Sequence, residues 1–148
     1  TLLIPSIFNG WYSQIIIMNN KLDKILAEIS AGELIDKITI LEIKRVKISN
    51  KDKLIDIEKE LFSLNQTLSE FIPDVTKVEK YKIELKKINL KLWDIEDGKR
   101  YAEKNNDFGT KFIELARNVY KFNDERAKIK LAINSALGSN IKEVKSYE

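Results

Sequence analysis

The feature that most constrains this chain is a run of apolar residues that alternates steps of three and four across most of its length. Near the C-terminus it reads Phe108, Phe112, Leu115, Val119, Phe122, Arg126, Ile129, Ile133 and Ala136. Before it comes Val78, Tyr81, Leu85, Ile88, Leu92, Ile95, then Lys99 and Ala102. A third run is Leu54, Ile57, Leu61, Leu64, Leu68 and Phe71. That spacing aligns side chains on one face of an α-helix and is the seam of a bundle or coiled coil; a strand would need alternation by two. With only five Gly and two Pro in 148 residues, a many-turned β architecture has too few turn formers.

Punctuation between the runs places the boundaries. Ser30 and Glu33 fit a capping box, in which hydroxyl and carboxylate each satisfy a backbone N–H at the helix start. A first helix follows to about Ser49, with Asn50, Lys51 and Asp52 as a turn. A second helix is expected from about Lys53 to Ile72, ended by Pro73 and Asp74. The third runs from about Val75 to Asn105, and Asn105, Asn106 and Asp107 form the turn into the fourth. Gly138 stops that helix in the left-handed conformation. Short connections make neighbours antiparallel. The expected fold is therefore all-α: an antiparallel bundle of about four long helices with a long C-terminal hairpin. Leu22 to Ile29 reads as an extended arm or short strand, and a minor strand pair with the tail around Ile141 to Tyr147 is expected with it. A break of the fourth helix at Asn123 is the other open point, since Asn123 and Asp124 are poor mid-helix residues.

Residues 1–20 carry no charge, and the single Met, Met18, stands just before the charged, patterned part. The expectation is that residues 1–20 are an extension read from upstream of a natural start at Met18, with 21–148 as one helical domain. The Ile15-Ile16-Ile17 patch is broken too soon by Pro5, Asn9 and Gly10 to make the roughly 20 apolar residues of a membrane span. A cytoplasmic chain without a span is expected.

Cys and His are both missing. Disulfides, thiolate catalysis, Cys-ligated zinc and imidazole general bases are excluded with them. Chemistry would have to rest on carboxylates, Lys, Arg, Tyr or hydroxyls, with no resident cofactor expected and Mg²⁺ only under a catalytic reading. Lys plus Arg number 26 against 23 acidic residues, and the Lys residues spread around every helix, which argues against a nucleic-acid face.

One charged residue, Arg126, stands inside the fourth-helix seam. Two roles compete for it: a clamp for a carboxylate or phosphate, and a pair with an acidic residue that fixes helix register. Folding the hairpin back about Asn106 sets Asn89 beside Asn123, Trp93 beside Val119 or Tyr120, and Asp97 near Leu115. The candidate ligand site is thus Arg117 and Arg126 as anion clamps, Asp97 and Asp124 as carboxylates, Asn123 as a polar neighbour, and Trp93 or Tyr120 as a stacking ring. The acidic pairs Glu33/Asp36 and Asp94/Asp97 each set two carboxylates on one helix face. They fit the paired-Glu pattern of all-α nucleotide pyrophosphatases poorly. The Ile35-Asp36 start of a chorismate-mutase-like helix is not followed by an Arg at the right distance.

Three blocks carry a broader likeness: residues 28–44; Leu92-Trp93-Asp94-Ile95-Glu96-Asp97 with Arg100; and residues 112–117 continuing through Tyr120, Asn123, Arg126 and Asn134. With Gly138-Ser139 and Lys145-Ser146-Tyr147, they resemble a family of short bacterial all-helical proteins of unknown function. Gly98 departs from the bulkier or acidic residue of that pattern. The resemblance implies a helical fold and a setting beside genes for glycosyltransferases and surface-polysaccharide assembly. Taken with the seams, it leads to the expectation of a non-enzymatic interaction or scaffold module for envelope-polysaccharide synthesis, with a protein partner or self-association. The alternative is a binder or Mg²⁺-dependent enzyme acting on a phosphorylated ligand such as a nucleotide sugar.

Overall fold

The structure, a computed structural model, describes residue 22 and residues 24–146. The extension at 1–20, with its proposed start at Met18, lies outside the described residues. Among the described residues four α-helices follow one another: α1 (Ala31–Lys47), α2 (Lys51–Phe71), α3 (Glu79–Lys104) and α4 (Thr110–Leu137), with one 3₁₀ turn at Val75–Lys77 leading into α3. Among the described residues there is no strand. The expected strand pair between arm and tail is therefore corrected: the described residues of both segments are irregular.

The caps explain the boundaries. Ser30 Oγ accepts from the Glu33 N–H (3.1 Å) and opens α1. The return half of the capping box is not made, because the Glu33 carboxylate is committed to Lys130 instead. Asn50, expected in a turn, is the cap of α2, its Oδ1 accepting from Lys53 N–H (3.0 Å), so that helix starts two residues earlier than its apolar pattern. Asp74 caps the 3₁₀ turn through Thr76 N–H. Gly138 takes φ +63° and ψ +39°, and the N–H of Ser139 bonds back to the Asn134 carbonyl (2.8 Å). α4 is unbroken through Asn123 and Asp124.

α1 is the hub. It packs on α2, α3 and α4, whereas α2 lies chiefly on α1 and the α3–α4 hairpin forms the other flank. Leu34, Ile35, Ile38 and Leu41 supply the α1 face of the core; Ile57, Leu61, Leu68 and Ile72 meet it from α2, with Val78 and Leu85 from α3 and Ile133 from α4. Ile38 and Leu85 are fully buried, and truncating either to Ala would cost about 2–5 kcal/mol. The short α1 has 17 residues against 26 and 28 for α3 and α4, so the hairpin outruns it. Beyond α1 the core thins to Ile95 and Ala102. No helix among the described residues is long and apolar enough to cross a membrane.

Candidate functional site

Where α1 crosses α4, both helices turn polar residues inward. On α1 these are Gly32, Glu33, Asp36 and Thr39; on α4 they are Asn123, Arg126, Lys130 and Asn134, spaced by three and four. Gly32 pairs with Asn134 and Asp36 with Arg126, so the helices run antiparallel. Gly32 permits the close approach: a Cβ there would lie 2.5 Å from the Lys130 carbonyl oxygen. Its own N–H donates to Asn134 Oδ1 at 2.7 Å.

Asp36 is 1% exposed. Arg126 Nε donates to its Oδ1 at 3.0 Å, and Arg126 Nη2 closes the second arm of a fork on Oδ2. Asn89 Nδ2, from α3, donates to Asp36 Oδ1 (2.8 Å) and to Thr39 Oγ1 (2.9 Å). Thr39 in turn donates to the Asp36 carbonyl (2.8 Å). Three helices thus meet on one carboxylate. The hydrogen bonds to Asp36 hold the Arg126 guanidinium above its ordinary pKa, against the opposing effect of burial. Among the described residues no buried side-chain N or O lacks a partner, so the network is satisfied as it stands.

One turn along α4, Lys130 is 7% exposed and lies between two carboxylates, Glu33 and Glu143, each 2.6 Å from Nζ. Burial alone would lower its pKa; the hydrogen bonds to Glu143 and Glu33 outweigh it and raise the value. Glu143 belongs to the irregular tail, and its hydrogen bond to Lys130 holds its carboxyl below the ordinary range. Two further contacts seat the tail: Ala31 N–H donates to Ser139 Oγ (3.2 Å), and Lys145 Nζ donates to the Asn123 carbonyl (3.3 Å). Between tail and α4 lies an open groove of about 300 Å³, lined by Asp124, Ala127, Lys128, Lys130, Leu131, Asn134, Glu143 and Lys145.

The candidates named from sequence separate into two groups. Arg126 and Asn123 sit in the network, where Arg126 Nη1 donates to Asn123 Oδ1 (3.4 Å), and Asp124 borders the groove. Asp97, Arg117 and Tyr120 are exposed and Trp93 is half-buried, all toward the hairpin turn. The hairpin register matches the expected one: Lys91 Nζ lies 4.9 Å from the Phe122 ring centroid, and Gly98 faces Leu115. That register leaves Arg117 some nine residues, or about 13 Å of helix, from Arg126. The two acidic pairs also diverge. Glu33 and Asp36 take Lys130 and Arg126, whereas Asp94 reaches Lys47 near the surface (3.4 Å). No group of three or more Asp or Glu placed to hold a metal ion occurs among the described residues.

From the seam Arg126 is placed, with an acidic partner as one of its two roles, and the hairpin register sets Asn89 beside Asn123; Lys130, Asn134 and Glu143 are not among the candidates. A readable signal existed for the α4 members. Asn123, Arg126, Lys130 and Asn134 form a polar stripe at steps of three, four and four, its two cations opposite in sign to Glu33 and Asp36 on α1. Nothing in the sequence pattern points Glu143 at Lys130.

No curated protein and no solved structure matches the chain. A family model does, over residues 24–148, a span that holds all four helices, the charged crossing and the tail. On that match the chain belongs to the family of unknown function DUF6165.

Proposed function

We propose that this chain is a non-enzymatic helical interaction module that pairs with a second copy of itself through one apolar end. The observation that carries the reading is a wide groove of about 1170 Å³ between the arm, the C-terminal half of α2 and the tail. Around it the arm exposes Ile25, Leu26 and Ile29, and α2 adds Phe71, which is 72% exposed. Contiguous apolar surface of this kind marks an interaction site. The rim carries both signs, Lys24 and Lys77 against Glu28, Glu70 and Asp74. A rim of mixed sign is self-complementary across a two-fold axis, where the same patch serves both subunits.

Light scattering on the full chain tests this reading. The expected result is a dimer, converted to monomer by Leu26→Asp combined with Phe71→Asp without loss of helical circular dichroism. A wild-type chain that stays monomeric at every accessible concentration would overturn it.

The setting, scaffolding of envelope-polysaccharide synthesis in a bacterial cytoplasm, is supported only by the family resemblance. The enzyme reading draws less support. Arg126 is already engaged by the buried Asp36, and Asp97, Arg117 and Tyr120 face solvent well away from it.

A further inference from the structure

The two carboxylates on Lys130 are not equivalent. Glu33 is held on the first turn of α1, one turn from Asp36, and its side chain is the less exposed of the two at 34%. Glu143 stands on an irregular segment whose residues 142–146 are all exposed, and its side chain is 46% exposed. Removing it would open the groove against a buried ammonium group, with Lys128 and Lys145 on the same lining. Asp124 would be the one carboxylate left on that lining, with Glu33 still 2.6 Å from Lys130 Nζ. Beside the charges, Ala127 and Leu131 give the groove an apolar strip.

We infer that the Glu143 carboxylate occupies an anion-binding site built around Lys130, and that a small phosphate monoester takes its place, the Glu143 side chain turning out to solvent while the tail and Lys145 stay on the groove. The site needs a group able to accept from several ammonium donors at once. A phosphate has three free oxygens for Lys128, Lys130 and Lys145, whereas a carboxylate has two. Its second charge is also matched better by those ammonium groups than a single charge is. A volume of about 300 Å³ is at the small end of ligand pockets and suits a short ester rather than a dinucleotide. The Glu143 side chain then works as an internal competitor, so apparent affinity is reduced by the fraction of chains in which it is seated on Lys130. The raised pKa of Lys130 keeps that ammonium group protonated throughout the physiological range.

The test is an amide NMR titration of the full chain with glycerol 3-phosphate, at ionic strength held constant with NaCl. Acetate and glycerol serve as parallel arms. In the wild type, shifts are expected at residues 127–134 and in the tail at 139–146. Glu143→Gln removes the competing charge and is expected to tighten binding by about tenfold. Adding Lys130→Gln to that variant should abolish the shifts. If Lys130→Gln loses helicity, the exposed pair Lys128→Gln and Lys145→Gln reads the same site and should weaken binding in the Glu143→Gln background. Acetate is expected to bind more weakly, and glycerol not at all. Binding that Glu143→Gln does not tighten, acetate binding as tight as the phosphate's, or shifts that survive the Lys substitutions in a folded chain would each overturn the proposal.

Discussion

The two ends of the α3–α4 hairpin are built on different principles. Where α1 crosses it, the helices approach so closely that Gly32 has no room for a methyl group. Next to it Asp36 accepts from Arg126 and Asn89, and Asn89 also donates to Thr39. Toward the turn at Asn106, only two helices remain, Ile95 and Ala102 are the buried residues of α3, and Gly98 sits against a single Leu115 side chain. Position in the bundle, more than residue type, decides what a charge or a glycine does. Arg126 and Arg117 lie on the same helix, yet only Arg126, at the crossing, is held by a buried carboxylate.

That contrast breaks most sharply at the two arginines. Arg126→Ala would strand the Asp36 charge in the interior and is expected to cost about 3–5 kcal/mol. Arg117→Ala, at an exposed site, should stay within about 0.5 kcal/mol. Chemical denaturation of both variants measures the difference. Replacing both partners of the pair, as Asp36→Leu with Arg126→Met, should recover much of the loss, because no unpaired charge remains. A double variant as unstable as the sum of the two single ones would show that geometry, and not charge burial, dominates the crossing.

The glycines sharpen the same comparison. Gly32→Ala drives a Cβ onto the Lys130 carbonyl, part of α4's backbone, which cannot rotate away. Overpacking of this kind costs roughly 1–3 kcal/mol, and separating the helices would also lengthen the Gly32–Asn134 bond. At Gly98 the new Cβ would lie 3.1 Å from Leu115 Cδ1, the end of a half-buried side chain that can turn aside. There the helix-propensity gain of about 1 kcal/mol should prevail, and thermal unfolding of Gly98→Ala should show a higher midpoint. The same substitution is thus expected to have opposite signs at the two ends.

The legibility of the sequence follows the same division. Long apolar seams repeat a short rule many times, so the four helices and the hairpin register were readable from residues such as Leu85, Ile88 and Val119. The Arg126 seam position announced a polar partner because a lone charge among apolar residues demands one. Asp36 could not be singled out from the other acidic residues, since its burial depends on the crossing angle of α1 and not on local pattern. Asn50 was misplaced into a turn because capping is decided by one side chain, a weaker signal than a seam. The arm and tail follow no period. What they do is set by contacts such as Lys130–Glu143, formed only after the helices have packed.

The smallest expected effect concerns that last contact. The folded Glu143 carboxyl titrates below its ordinary value of 4.5, chiefly through the hydrogen bond from Lys130. A group depressed in this way contributes stability that is fully present above 4.5 and is lost as pH falls through the lower folded value. Lys130, raised above 10.5, contributes in the opposite sense: its share is complete below 10.5 and fades only as pH rises through the higher folded value. The seated tail should therefore hold from mildly acidic to alkaline solution and come off first in acid. Because Glu143 is half-exposed, solvent screens the pair, and its worth should not exceed about 1 kcal/mol. Amide exchange across residues 139–146, followed as a function of pH, should show protection falling below pH 4.5 while that of residues 36–41 persists. Glu143→Gln should remove the acid dependence in the tail. Protection that falls together in tail and crossing would mean the two are one cooperative unit, and the tail could not then leave by itself.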